Sequence, residues 1–294
     1  MVYAKSAILS FVVVAGVQAH IIPAGATQIN TGGEAGAYHA SFCPALAGQL
    51  KLAQFDYRCV PSAGTRENMD RVVADPRQLG YGQLDVFALE GRQLKAETAL
   101  TIVRQDDVRE CVFAVTRNKQ ISNWGELSVN AGNLRFILPP ATSGSSGTFR
   151  FLSTVDTDGL GRAKAVTHAS SAEDAIGQAL SADDTASLFV EFPDPESKRF
   201  ELVRKLGGHF VPVIDRTILR QDIGGTKIYF PQETETEAAG WVQSARKLVT
   251  ACTPLVVFTG QIDRVQGETA RKDHADLIRT VTAMKRDSLL PEES

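Results

Sequence analysis

Apolar residues follow two rhythms along this chain. Short apolar or β-branched runs of four to seven residues recur, each stopped by glycine, proline or small polar residues. Between them lie longer stretches with apolar residues at helical spacing. The short runs fall at 27–30, 55–60, 79–83, 110–116, 134–138, 186–192, 210–214 and 254–259. The helical spacings fall at 40–52, around 65–73, from 85 onward, from 148 onward, and at 172–180, 200–206, 241–249 and 273–284. Phe42, Leu46, Ala47 and Leu50 share one face of the first, and Leu277, Ile278, Val281 and Met284 one face of the last. Strands alternating with helices at this spacing predict βαβ units around a mostly parallel sheet. In such sheets the loops after the strands gather at the carboxyl edge, where ligands bind.

Four of those loops carry chemistry. Thr31-Gly32-Gly33-Glu34-Ala35-Gly36-Ala37-Tyr38 follows the first strand, with His39 behind it. Ser62-Ala63-Gly64-Thr65 follows the second, with Arg66 one residue on, and Gln83-Leu84-Asp85 follows the third. The fourth, Ser143-Gly144-Ser145-Ser146-Gly147-Thr148, precedes Phe149, Arg150, Phe151 and Leu152. Ser and Thr ahead of an apolar periodic run are helix N-cap residues. A helix start presents unpaired N–H groups and about half a positive charge, so this turn predicts an anion cradle. It is not a P-loop, since no Gly-Lys-Ser/Thr follows at the required spacing, and it is one residue too short for a nucleophile elbow. Arg66 and Arg150 each lie within a turn of a helix start and suit a carboxylate or phosphate. The five histidines are scattered, and no carboxylate pair is placed for acid–base work. No enzyme, no metal and no cofactor is therefore expected.

Composition narrows the class. The chain is 43% hydrophobic and 22% charged, which suits a globular protein, and its net charge of −3 argues against nucleic acid as a partner. Residues 1–19 read as a signal peptide: Lys5 comes first, then an apolar run over 7–17, then Val17-Gln18-Ala19 as a cleavage site before His20. That run falls short of the roughly 20 residues needed to span a bilayer. An even cysteine count in an exported chain points to disulfides, and Cys43, Cys59, Cys111 and Cys252 allow three pairings.

Three of the segments above recur in the same order elsewhere. Thr31 to Tyr38 resembles a T-G-G-x-x-G-x-Y loop, Gly64 to Asn68 a G-x-x-E-N helix start, and Gly80 to Val86 a G-x-x-Q-x-D-V pattern. Together they resemble the TAXI-type solute-binding proteins that serve TRAP transporters. Gly144-Ser145-Ser146-Gly147-Thr148 is similar to that family's G-P-x-G-S-G-T loop, and Ile121 to Leu127 to the segment that follows its crossover. Glu34 departs from the small residue or Thr common in the first loop. Phe192-Pro193-Asp194-Pro195 lacks the Gly and Asn of the family's G-x-P-N-P.

The resemblance implies an α/β, two-lobe periplasmic-binding-protein type 2 fold, each lobe a mostly parallel sheet flanked by helices. Lobe 1 would comprise 20–109 and 236–294, and lobe 2 would comprise 110–235. Two crossings are expected, near Cys111 and near Tyr229. On that layout Cys43 falls close to Cys59, and Cys111 close to Cys252. The implied function is capture of a small anionic or zwitterionic solute, glutamate-like or a dicarboxylate, by a periplasmic monomer that delivers it to membrane transporter subunits. The ligand-binding set expected is Gly33, Glu34, Tyr38, Ser62, Gly64, Thr65, Gln83, Ser143, Ser145, Ser146, Gly147, Thr148, Arg150 and Glu191. The hydroxyls of Ser146 and Thr148 are expected on the ligand's acid, with Tyr38 and Gln83 closing from the opposite lobe. The rival is a phosphate or other oxyanion binder of an ABC transporter.

Overall fold

The computed structural model describes residues 26–34, 36–94, 98–239 and 244–285. The expected signal peptide and the start of the expected helix at 241–249 lie outside these residues. In chain order the elements begin with β1 (Thr27–Asn30), α1 (Cys43–Leu52, entered through a π turn at Tyr38–Phe42), β2 (Tyr57–Val60), α2 (Thr65–Ala74), β3 (Leu79–Gln83) and α3 (Leu84–Leu94). A 17-residue strand follows, β4 (Leu100–Thr116). Then come α4 (Trp124–Asn130), β5 (Arg135–Leu138), α5 (Gly144–Val155), β6 (Ala165–His168), α6 (Ala172–Ala179), β7 (Thr185–Glu191), α7 (Lys198–Lys205), β8 (His209–Pro212) and α8 (Arg216–Leu219). A short hairpin of β9 (Asp222–Ile223) and β10 (Thr226–Lys227) leads to β11 (Phe230–Glu237), β12 (Arg246–Gly260) and α9 (Glu268–Ala283).

Ten strands join in the order β2-β1-β3-β12-β4-β7-β5-β6, with β11 on β12 and β8 on β4. β1 runs parallel to β2 and β3, and β5 parallel to β6 and β7. Between these parallel groups lie β4 and β12, antiparallel to each other and each much longer than its neighbours. Residues 79–83 of β3 pair with 255–259 of β12. Residues 111–116 of β4 pair with β7, and residues 246–252 of β12 pair with β11. Each long strand therefore serves one half of the molecule with one end and the other half with the other end. This is the two-lobe type 2 periplasmic-binding-protein architecture, with β4 and β12 as its crossings.

Two elements correct the sequence reading. The expected helix at 241–249 is strand from 246 on, because residues 246–249 pair with β11. β11 itself shows no apolar alternation. It alternates Thr with Glu, and Thr234 and Thr236 are its buried face. The return crossing is β12 rather than a segment near Tyr229, which is fully buried and packs edge-on against Phe151 of α5. Both disulfides form in the expected pairing, Cys43–Cys59 between α1 and β2, and Cys111–Cys252 between register partners on the two crossing strands.

The apolar core divides around the sheet. Ile29, Leu46, Leu50, Leu79, Val257 and Leu277 close one face of the first lobe under α1 and α9. Phe113, Phe189, Phe200 and Ile176 close one face of the second under α6 and α7. The largest cluster runs through both lobes, with Met69 and Leu84 from one side and Phe136, Phe149 and Phe151 from the other. Among the described residues no helix is long and apolar enough to cross a membrane.

Candidate functional site

Three helix starts meet where the lobes face each other. Gly64 is the N-cap of α2, with φ of 137°, and a Cβ there would stand 2.8 Å from the Thr142 carbonyl and 3.7 Å from the Gly144 nitrogen. Only glycine permits both that dihedral and that approach. Ser143 caps α5 by accepting from the Ser146 N–H at 3.3 Å. The third start, α3, follows Gln83 directly. A Cβ on Gly144 would fall 2.1 Å from Gln83 Oε1, so the side chain of Gln83 lies against the first residue of α5 from across the seam.

Gln83 is 4% exposed. Its Nε2 donates to Glu110 Oε2 at 2.7 Å, while its Oε1 is buried with no hydrogen-bond partner. Glu110 sits on β4, one residue before the Cys111–Cys252 disulfide. Tyr38 Oη donates to the same Glu110 Oε2 at 2.5 Å. Burial pushes the Glu110 carboxyl up to about 7, with Asp85 and Glu191 adding repulsion, against the lowering by its two donors. The Tyr38 phenol is driven up by the same burial and by Glu110, so it stays protonated as a donor. Tyr38 stacks on Tyr81 and meets the edge of Phe192, which also touches Phe42. Thus the acid is bonded to the hydroxyl of a tyrosine whose ring packs on Tyr81 and Phe192.

A second buried carboxylate joins the lobes deeper in. Asp85, fully buried in the first turn of α3, accepts from Thr148 Oγ1 at 2.6 Å and Tyr229 Oη at 2.7 Å. Burial raises its pKa, and these two hydroxyls hold it back. Farther along the same helix, Glu90 is fully buried and bridges Arg66 Nη1 of α2 at 2.5 Å and Arg150 Nη2 of α5 at 2.6 Å.

The expected ligand set is distributed accordingly. Gly64, Tyr38, Gln83 and Ser143 come together at the seam. Gly33 and Glu34 are exposed on the first loop. Ser62 Oγ donates to the Thr31 carbonyl, and Thr65 Oγ1 accepts from the Gln83 N–H. Ser145 Oγ accepts from the Val190 N–H, and Ser146 Oγ donates to the Pro139 carbonyl. Gly147 lets α5 lie on Val86, where a Cβ would come within 2.8 Å. Glu191 is held by Arg199 Nη1 and Ser197 Oγ, each at 2.9 Å, and burial raises its pKa. The hydroxyls of Ser145, Ser146 and Thr148 and the guanidinium of Arg150 are thus engaged by protein partners. Glu110 and Tyr229 were not in the expected set. The one signal for Glu110 in the sequence is an acid opening an otherwise apolar strand.

Among the described residues no group of three or more His, Cys, Asp or Glu is placed to hold a metal ion. What the seam offers is hydrogen-bond acceptors at Glu110 and Gln83, and helix-start donors at α2 and α5.

Comparison with known proteins finds no matching family model and no matching curated sequence. Solved structures of similar course do exist. A protein described as a periplasmic transporter aligns at 8% identity and TM-score 0.49, covering 91% of this chain and 86% of its own. YhfZ from Shigella flexneri aligns at 10% and 0.48, covering 90% and 92%. The GluR0 ligand-binding core, solved with L-glutamate, aligns at 10% and 0.47, covering 88% and 97%. At such identities and scores these are likenesses in the course of the chain, and they do not extend to a ligand.

Proposed function

We propose that this chain is an extracytoplasmic solute-binding protein of TAXI type, which takes a small organic anion or zwitterion between its lobes and delivers it to a membrane transporter. The observation that carries this reading is the meeting of two helix starts, α2 and α5, from opposite sides of a two-strand crossing, over the side chains of Gln83 and Glu110. Helix starts stabilise a negative group. A solute touching both lobes would favour the closed arrangement by its differential affinity for it. The proposed boundaries, lobe 1 from 20–109 and 236–294 and lobe 2 from 110–235, put the hinge at Glu110–Cys111. The two disulfides suit an oxidising compartment.

Native mass spectrometry of the protein secreted by its own host tests the reading, since a retained solute is weighed directly. Small-angle scattering with and without that solute should show compaction. Absence of any retained or added solute that compacts the protein, or multiple turnover of an ester substrate, would reject the binding role.

A further inference from the structure

A cavity of about 290 Å³ opens in lobe 1 at the edge of the sheet away from the seam. Thr27 begins β1, Tyr57 begins β2 and Arg77 stands two residues before β3. The cavity therefore meets the amino ends of strands whose carboxyl ends carry the seam loops. Its other wall is α9, through Ala270, Asp273, His274 and Leu277. These positions share one helix face.

The polar lining is one-sided. His274 is 3% exposed, and its Nε2 lies 2.8 Å from the Gly260 carbonyl. A carbonyl only accepts, so Nε2 carries the proton and Nδ1 of the neutral ring is an acceptor. Nδ1 is buried with no partner. Asp56 and Asp273 are exposed at the rim, and among the described residues neither side chain has an ion pair or a hydrogen bond. Arg77 is taken by Asp75 at 3.2 Å.

Gln54 also lines this cavity, and its backbone is unusual. It follows the end of α1 with φ of 68°, and no other non-glycine residue among those described has a positive φ. Gln54 N–H donates to the Lys51 carbonyl and Phe55 N–H to the Leu50 carbonyl. These are the two bonds of a Schellman motif, whose left-handed position ordinarily takes glycine. A larger residue there costs stability, and such a cost points to a use for the side chain.

We infer that lobe 1 carries a second, peripheral site at this cavity, for a small alkylammonium such as a diamine. The ammonium would sit between Asp56 and Asp273, with the Gln54 amide oxygen and the His274 wall beside it. Its methylenes would lie on Phe55 and Leu277. An ammonium is all donor, and the unpartnered groups here offer acceptors. Among the described residues no trio of His, Cys, Asp or Glu is placed for a metal ion, which leaves an organic cation. The site is separate from the seam and goes beyond the solute-binding reading, so either can fail without the other.

The test is titration calorimetry of the full secreted protein at low salt and pH 7.5, with 1,4-diaminobutane and with 1,4-butanediol, which has the same chain and no charge. Wild type should bind the diamine saturably and the diol not at all. Asp56→Asn and Asp273→Asn, both at the exposed rim, should each weaken the diamine by about two- to fivefold, as befits solvent-exposed charge pairs. The double variant should weaken it further, with thermal melts showing all three folded. Gln54→Gly should weaken binding while melting no lower than wild type, a combination that a purely structural glutamine would not give. No saturable binding of the diamine by wild type would overturn the inference. So would equal binding of the diol, or an affinity for the diamine unchanged in the double variant.

Discussion

Replacing Glu110 by Gln isolates the energetic consequence of a half-buried acid that, among the described residues, is bonded only to neutral donors. The carboxyl goes from an ordinary value of 4.5 to about 7 in the fold, chiefly through burial. A folded pKa above the unfolded one means that the native state holds the proton more tightly. Stability therefore falls as pH rises from about 4.5 through about 7, and levels off above that. The full difference corresponds to about 3 kcal/mol. Partial exposure and screening make about 2 kcal/mol the working expectation. Facing Glu110 are Tyr38 and Gln83 as donors and Asp85 and Glu191 as acids. Asp85 and Glu191 are raised by burial too, so part of the wild-type slope has the same sign. The comparison with Glu110→Gln removes that shared part, since the amide keeps an acceptor for Tyr38. Chemical denaturation at half-unit steps from pH 4.5 to 8 should show the variant less pH-dependent than wild type and about 2 kcal/mol more stable relative to it at pH 8 than at pH 4.5. Parallel curves for the two proteins would refute the assignment of an uncompensated charge to Glu110.

Thr148→Val should cost about 1.5–3 kcal/mol in the absence of any solute, because Thr148 Oγ1 donates to buried Asp85; a denaturation midpoint equal to wild type would contradict this. Tyr229→Phe removes the other hydroxyl from the same carboxylate and should cost a similar amount, and the double variant should depart from additivity because both act on one acid. Removing Cys111–Cys252 by paired alanines should destabilise by roughly 4–5 kcal/mol, and removing Cys43–Cys59 by roughly 3 kcal/mol, since the loops closed differ so much in length, with sequence separations of 141 and 16; guanidinium titration of each variant checks the order. Arg150→Ala should cost under about 1 kcal/mol, as that guanidinium is half exposed and Arg66 still pairs Glu90. Glu90→Ala should cost more, because it leaves two arginines without their buried partner, and thermal melts of the two variants decide.

Much of this molecule was legible in its residue pattern. Each strand–glycine loop–helix unit of the first half is a local statement: a short apolar run, a turn that needs glycine, then helical spacing. These units predicted β1 to α3 and β5 with α5, because short-range propensity and one-sided burial act within a dozen residues. Helix starts near Thr65 and within Ser143 to Thr148 could be read for the same reason, and the structure fixes the caps at Gly64 and Ser143. The cysteine pairing followed once the lobes were laid out in order.

What the pattern did not carry is what depends on a distant partner. β11 is a Thr–Glu alternation whose threonines are buried only because β12 lies beside it, and residues 246–249 are strand for the same reason, despite helical spacing. The hydroxyl of Thr148 reads as a ligand donor within its own loop. Asp85, 63 positions away, turns it into a structural one. Glu110 looks like the polar edge of an apolar strand until folding sets Tyr38 and Gln83 on it. Burial, charge balance and hydrogen-bond partners are properties of the assembled lobes, since each is set by atoms that the chain brings together only when the crossing strands have paired.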